Sequence, residues 1–166
     1  MYKIIKPTTE QELAAYFHFR WQILKAPFNF PEGSEKDEYE LVAEHRMIVN
    51  VNNDIMAIGR VHFNTAEEVQ IRHIAVAFEA HGKGYGSLIV ATLEKVAIEQ
   101  GAIRAVTNSL ESSRGFFEIC GYTKFSAPEA LRKLNRIHML KKLSAQQFLI
   151  HPKWCQELQS TWENTI

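Results

Sequence analysis

An α/β fold is predicted by three features of this 166-residue chain. Short β-rich runs recur along it, interleaved with apolar stripes of helical period. Met47 to Val51 and Ile55 to Phe63 flank an Asn52-Asn53-Asp54 turn, which signals a hairpin. Val69 to Gln100 reads as strand, glycine loop and amphipathic helix in succession.

Taken in order, Tyr2 to Ile5 is a first strand. Thr9-Glu10-Gln11-Glu12 has the spacing of a capping box, and Leu13, Phe17, Trp21 and Leu24 continue it as one helical face. Pro27 to Ser34 is turn-rich, and the charged run Ser34-Glu35-Lys36-Asp37-Glu38 reads as a solvated loop or short helix. After the hairpin, Val69 to Val76 is a strand buried on at least one face. In the following helix Ile89, Leu93, Val96 and Ala97 share a stripe, and Gly101 stands where a left-handed closing residue is wanted. Ala102 to Thr107 is a strand parallel to the one before that helix, by the right-handed crossover rule. Ser112 to Cys120 is a short helix closed by Gly121, Tyr122 to Phe125 a strand, and Arg136 to Leu143 a last strand.

Bulk properties narrow the function. The length suits one domain that buries roughly 70% of its unfolded surface. Hydrophobic residues at 46% and charged residues at 23% are globular values. Nineteen basic and nineteen acidic residues cancel, which gives no support to nucleic-acid or membrane-surface binding. Cys120 and Cys155 lie far apart without metal spacing and fit a reducing compartment. MYKIIKP is too charged and short for a signal peptide, so a cytoplasmic location is expected.

The glycine loop carries the chemistry. Gly82, Gly84 and Gly86 let main-chain N–H groups converge, and the next helix adds its unpaired donors and dipole. That is an anion site. A P-loop is excluded because the glycines alternate, and a dinucleotide fingerprint because Ser87 stands at its third glycine and apolar Val106 near its acidic position. The arrangement resembles motif A of the GCN5-related N-acetyltransferase (GNAT) superfamily. Ala75-Val76 ends the strand, Gly84-x-Gly86 matches the glycine pair, and His81 holds the place of Gln or Arg. Phe116-Phe117-Glu118-Ile119-Cys120-Gly121-Tyr122 is similar to a second family segment.

The resemblance covers Tyr2 to Leu143 and implies a central, mixed, mostly antiparallel twisted sheet of six to seven strands flanked by helices. It further implies acetyl-CoA as co-substrate, no metal, and a small-molecule or peptide amine as acceptor. Coenzyme A would meet the backbone of Ile74, Ala75 and Val76 through its pantetheine arm. Its pyrophosphate would meet His81, Gly82, Lys83, Gly84, Tyr85, Gly86 and Ser87, with Arg114 and Phe117 nearby. An N–H near Val76 would face the thioester oxygen. The acceptor pocket would lie between the loops from Ala26 to Tyr39 and from Ser126 to Asn135.

The proton-handling positions depart from the family. Phe117 replaces its usual tyrosine acid, and Gln70 and Arg72 stand where Glu or His often acts as base. His73 alternates to the opposite face if the strand is regular, and His62 and Glu79 remain as water-relayed bases. Without a strong base, the acceptor should be an amine of low pKa.

Phe19-Arg20-Trp21, Gly33-Ser34-Glu35-Lys36-Asp37 and the tail resemble bacterial proteins in which an acetyltransferase-like half precedes a hot-dog, thioesterase-like domain. Residues 1–143 would then be the acetyltransferase-like domain and 144–166 a helical extension. Trp154, Leu158 and Trp162 would form an aromatic stripe there, packing on their own domain or docking a second copy or a thioesterase-like partner. Two other functions stay open beside acetyl transfer. One is a thioester-binding module without turnover; the other is decarboxylation of a malonyl thioester.

Overall fold

The computed structural model describes residues 1–129, 132 and 135–149. Its strands are β1 (Tyr2–Ile5), β2 (Glu44–Asn50), β3 (Ile55–Phe63), β4 (Glu68–Val76), β5 (Arg104–Ser109), β6 (Thr123–Lys124) and β7 (Ile137–Lys142). Its helices are α1 (Glu10–Leu24), α2 (Tyr85–Glu99) and α3 (Arg114–Ile119). One seven-stranded sheet runs β1-β2-β3-β4-β5-β7-β6. All neighbours are antiparallel except β4 and β5. This is the mixed, mostly antiparallel sheet expected.

Local chemistry sets the element ends. Thr9 accepts from the Glu12 N–H while the Glu12 carboxylate accepts from the Thr9 N–H, a reciprocal cap that starts α1. At the end of α2, Gly101 is left-handed with φ +98°. Its N–H reaches the Ile98 carbonyl and the Ala102 N–H the Ala97 carbonyl. Ala102 thus belongs to the helix stop, and β5 begins two residues later than the sequence pattern indicates. At β6 the β-rich run from Tyr122 is a strand through Thr123 and Lys124, with the Phe125 N–H adding one bond to the His138 carbonyl at 3.0 Å, while the buried Tyr122 ring turns into the core.

The sheet is coated on both faces. On one, Val69 and Ile71 pack with Val90, Leu93, Ala97 and Phe117, while Ile48 and Ala57 meet Leu88 and Ile89. Burying each large aliphatic side chain contributes about 1.5–3 kcal/mol, so this layer, which includes the fully buried Ile89 and Leu93, fixes α2 to the sheet. On the other face α1 lays Tyr16, Phe17, Ile23 and Leu24 over Met47, Val49, Ile58 and Ala75.

Trp154, Leu158, Trp162 and Cys155 lie outside the described residues. Among those described, the last element is a short 3-10 turn, Ala145–Leu149, tied to α2 where Gln147 donates to Glu94 at 2.6 Å. No helix among them is long and apolar enough to cross a membrane.

Candidate active site

Strands β4 and β5 pair only through Glu68, Val69 and Gln70 against Arg104, Ala105 and Val106. Past Gln70 they part, the last link being the Thr107 hydroxyl donating to the Ile71 carbonyl at 3.0 Å. On its other edge β4 stays paired with β3 as far as Val76. Ile74, Ala75 and Val76 therefore present a strand edge that β5 does not cover, with a His81 ring nitrogen 3.1 Å from the Val76 carbonyl.

The helix head sits at the mouth of this opening. Gly84 caps α2 with φ +86°, and the first intrahelical bond joins the Leu88 N–H to the Gly84 carbonyl. The N–H groups of Tyr85, Gly86 and Ser87 are thus left without helical acceptors. Added Cβ atoms at Gly82 and Gly84 would meet nothing within 4 Å, so the loop side is open. A Cβ at Gly86 would lie 3.0 Å from Phe116 and 3.5 Å from Val76, which places the head of α2 between the end of β4 and the helix that follows β5. A strand edge leading to a fan of free amides fits a pantetheine arm carrying a pyrophosphate.

Phe117 lies in the core, edge-on to Phe116 and Tyr122 at 5.0 and 5.6 Å between centroids. Arg114 is half-buried and its Nε donates to Glu118 at 2.7 Å, the ion pair of a surface helix. Cys120 Sγ lies 3.9 Å from Ser87 Oγ, and burial pushes its thiol up to about 11.

A bulge breaks the alternation of β4. Ile58 pairs with Ala75 and Arg60 with Arg72, so Gly59 faces both His73 and Ile74, and His73 takes φ +56°. The expectation that His73 points away from its neighbours fails for this reason. Its Nε2 faces Asp37 at 3.4 Å, as does Arg72 Nη1, so both lie on the α1 side with Arg60.

The charged run before β2 is a second correction. It is not a solvated loop: Glu35 is buried, and Asp37 and Glu40 turn inward onto arginines. Arg60, fully buried, makes a fork to Asp37 at 2.6 and 2.9 Å and a third bond to Glu40 at 2.8 Å. Arg20, also fully buried, donates to Glu40 at 2.8 Å, to the Glu35 carbonyl and to the Tyr16 hydroxyl. Sequence periodicity passed over Arg20 and Arg60 as members of apolar elements. Their signal was charge, because a buried guanidinium demands carboxylates and the acid-rich stretch from Glu32 to Glu40 supplies several.

This electrostatic setting suppresses bases. Burial, followed by the nearby Arg60, pushes His62 down to about 4, and its ring stacks on Tyr39 at 4.1 Å. Burial, then Arg20, Arg60 and Arg72, pushes His73 down to about 2. Burial raises Asp37, but the bonds from Arg60 and the Tyr39 N–H outweigh it and hold the carboxyl far below its usual range. Asp37, Glu40 and His73 bring ligand atoms within 4.8 Å of one another. A cation there would have to displace the guanidinium groups of Arg20 and Arg60, which already fill the carboxylates.

Comparison with known proteins bears on the fold and the family. An uncharacterized N-acetyltransferase, YjcF, of Bacillus subtilis is 26% identical over 129 residues, 78% of this chain and 91% of its own. A putative N-acetyltransferase from Lactobacillus plantarum shares the fold at TM-score 0.74 and 17% identity, covering 86% of this chain and 99% of its own. A GNAT family acetyltransferase from Elizabethkingia anophelis, solved with acetyl-CoA bound, superposes at TM-score 0.64 and 14% identity over 86% of this chain and 98% of its own. The signature of the acetyltransferase (GNAT) family matches residues 12–122, from α1 through the glycine loop to Tyr122, and the chain belongs to that family.

Proposed function

We propose that the protein transfers an acetyl group from acetyl-CoA to an amine whose pKa is low enough for it to arrive neutral. The observation that carries this reading is the open edge of β4 running into the unpaired amides at the head of α2. Main-chain donors from Gly82 to Ser87 would hold the pyrophosphate, and the uncovered edge of Ile74 to Val76 would align the pantetheine arm. Held there, acetyl-CoA supplies a thioester carbonyl for the amine nitrogen to attack, with its thiolate as leaving group.

The residues nearby explain why the amine must bring its own lone pair. His62 and His73 are neutral at pH 7 but too weakly basic to take an ammonium proton. An α-amino group near pKa 7.8 is neutral about one time in seven at pH 7, a lysine side chain about once in a few thousand. No tyrosine acid stands at Phe117, and expelling an unprotonated thiolate forgoes only about 2 kcal/mol at pH 7.

The test is release of free CoA thiol that depends on added amine, with an α-amine compared against a lysine side chain at pH 7. Equal kcat/KM on the two sinks the low-pKa acceptor. A thermal shift with acetyl-CoA establishes binding separately, since a ligand at 100 times its Kd stabilises by about 2.7 kcal/mol. Binding without amine-dependent turnover would make the chain a thioester-binding module. Carbon dioxide release from malonyl-CoA would make it a decarboxylase.

A further inference from the structure

On the α1 side of β3 and β4, three groups stand out: two of the four buried side-chain nitrogens without a hydrogen-bond partner among the described residues, the others being Arg20 Nε and Arg60 Nε, and one weakly compensated guanidinium. The first is Gln70 Nε2, buried and without a hydrogen-bond partner. Its identity as nitrogen follows from the neighbours. The Glu68 carboxylate only accepts, so the Asn64 group 3.0 Å from it is the amide nitrogen. That same nitrogen donates to Gln70 at 3.1 Å, so the Gln70 oxygen faces Asn64 and its NH2 points the other way. The second is His62 Nδ1, on a side chain only 4% exposed and likewise unpartnered. His62 stands directly across the ladder from Gln70, where side chains lie about 5 Å apart.

The third is Arg72, two residues along the same side of β4. It is the accessible member of three guanidinium groups set against the carboxylates of Asp37 and Glu40. Arg60 takes both Asp37 oxygens at 2.6 and 2.9 Å, leaving Arg72 a single contact of 3.4 Å. Its charge is therefore poorly compensated. It stands beside the bulge at His73, where β4 has already left β5.

We infer that Gln70, His62 and Arg72 form a subsite for a substrate carboxylate. A water molecule satisfies Gln70 Nε2, or His62 in its Nδ1–H tautomer, singly and leaves the charge in place. A carboxylate has two oxygens for the donors and neutralises Arg72 as well. This rests on the transferase reading above and narrows it. The substrate carries an anionic group, either on the acceptor amine, as in an amino acid, or on the acyl chain, as in a dicarboxylic monothioester.

The test reads the Gln70 side-chain NH2 resonances in a nitrogen–proton correlation spectrum. The first pair of probes is N-acetylglycine and N-acetylglycinamide, with and without CoA. The second pair is succinyl-CoA and butyryl-CoA. The expected result is a saturable shift with an acid and none with its uncharged partner, and the responding pair tells which substrate carries the carboxylate. Arg72→Ala should weaken that binding at least tenfold, as for a hydrogen bond to a charged group. Gln70→Glu should abolish preference for the acid, and the rest of the spectrum reports whether either variant is folded.

The inference is overturned if neither acid moves the Gln70 signals at about 10 mM, where a millimolar ligand fills most sites. It is equally overturned if acid and uncharged partner act alike, or if folded Arg72→Ala binds as tightly as the original. The backbone signals of Gly82 to Ser87 respond separately to CoA. Their failure to move would remove the transferase reading, while the Gln70 titration would still decide the subsite.

Discussion

Asp37 and Arg60, one from the loop before β2 and one from the middle of β3, form a two-toothed ion pair with contacts of 2.6 and 2.9 Å. The guanidinium is fully buried and the carboxylate mostly so. Cutting one side of such a pair strands the other charge. Asp37→Asn should cost roughly 3 kcal/mol, the low end for a broken buried pair because Glu40 still holds Arg60. Urea unfolding at pH 7 measures it. Asp37→Leu combined with Arg60→Met should be milder than Asp37→Asn alone; an equal or larger loss would show that the charges themselves specify the fold.

The same network makes the protein sensitive to mild acid. A histidine whose folded pKa is depressed favours the unfolded state as soon as that state takes up its proton. Unfolded histidine titrates near 6.5, whereas His62 holds out to about 4 and His73 to about 2. Stability should therefore fall from about pH 6.5 toward pH 4, by about 1.4 kcal/mol per pH unit for each histidine. Asp37 and Glu40 are lowered instead, so their contribution stands above the ordinary carboxylate range and is lost only further down. Urea midpoints at pH 7, 6 and 5 follow the loss. His62→Phe, which keeps an aromatic ring against Tyr39, should remove about one proton from the slope. A flat profile between pH 7 and 5 would contradict the assignment.

What was legible in the sequence was local. The Thr9 box, the Asn52-Asn53-Asp54 turn and the α2 stripe ending in Gly101 are each decided within a few residues, and each stands where the pattern put it. The glycine loop was legible for the same reason. Illegible features were those decided across the sheet. His73 changes face because Gly59 on β3 is opposed by two residues of β4, and an added Cβ at Gly59 would lie 2.7 Å from Ile74 and Leu93. Nothing near His73 in sequence announces that. The run from Ser34 to Glu38 looks solvated by composition and is drawn inward by Arg20 and Arg60, which come from α1 and β3.

Glu94 was equally invisible, an acid inside the apolar stripe of α2. It is 1% exposed and receives Lys141 at 2.8 Å, the Tyr122 hydroxyl at 3.0 Å and Gln147 at 2.6 Å. Burial, then the Glu94 charge, pushes the Tyr122 hydroxyl well above its ordinary pKa, so it remains a donor. Lys141→Met should leave the buried Glu94 carboxyl without its cation, at a cost of about 3 kcal/mol by thermal or urea unfolding. Glu94→Gln added to it should restore much of that loss. If Lys141→Met is neutral, the pair is not what joins α2 to β7.

Three glycines separate backbone strain from ligand binding. Gly84 and Gly101 both have positive φ, +86° and +98°, and open space where a Cβ would go. Alanine at either should cost about 1–2 kcal/mol through left-handed strain alone. They differ in place, since Gly84 heads α2 beside the opening of β4 and β5 while Gly101 closes its far end. Gly84→Ala should therefore weaken acetyl-CoA binding at least tenfold and Gly101→Ala should not, at matched loss of stability. Gly86 is helical, so alanine there gains up to about 1 kcal/mol of helix propensity while pushing on Phe116 at 3.0 Å. Its variant should keep near-original stability and still lose affinity, because the push falls on the α2 head that presents the amides. Calorimetric titration of the three variants, each corrected for its folded fraction, decides the matter. Equal affinity in Gly84→Ala and Gly101→Ala would mean that the phosphates are held somewhere other than this loop.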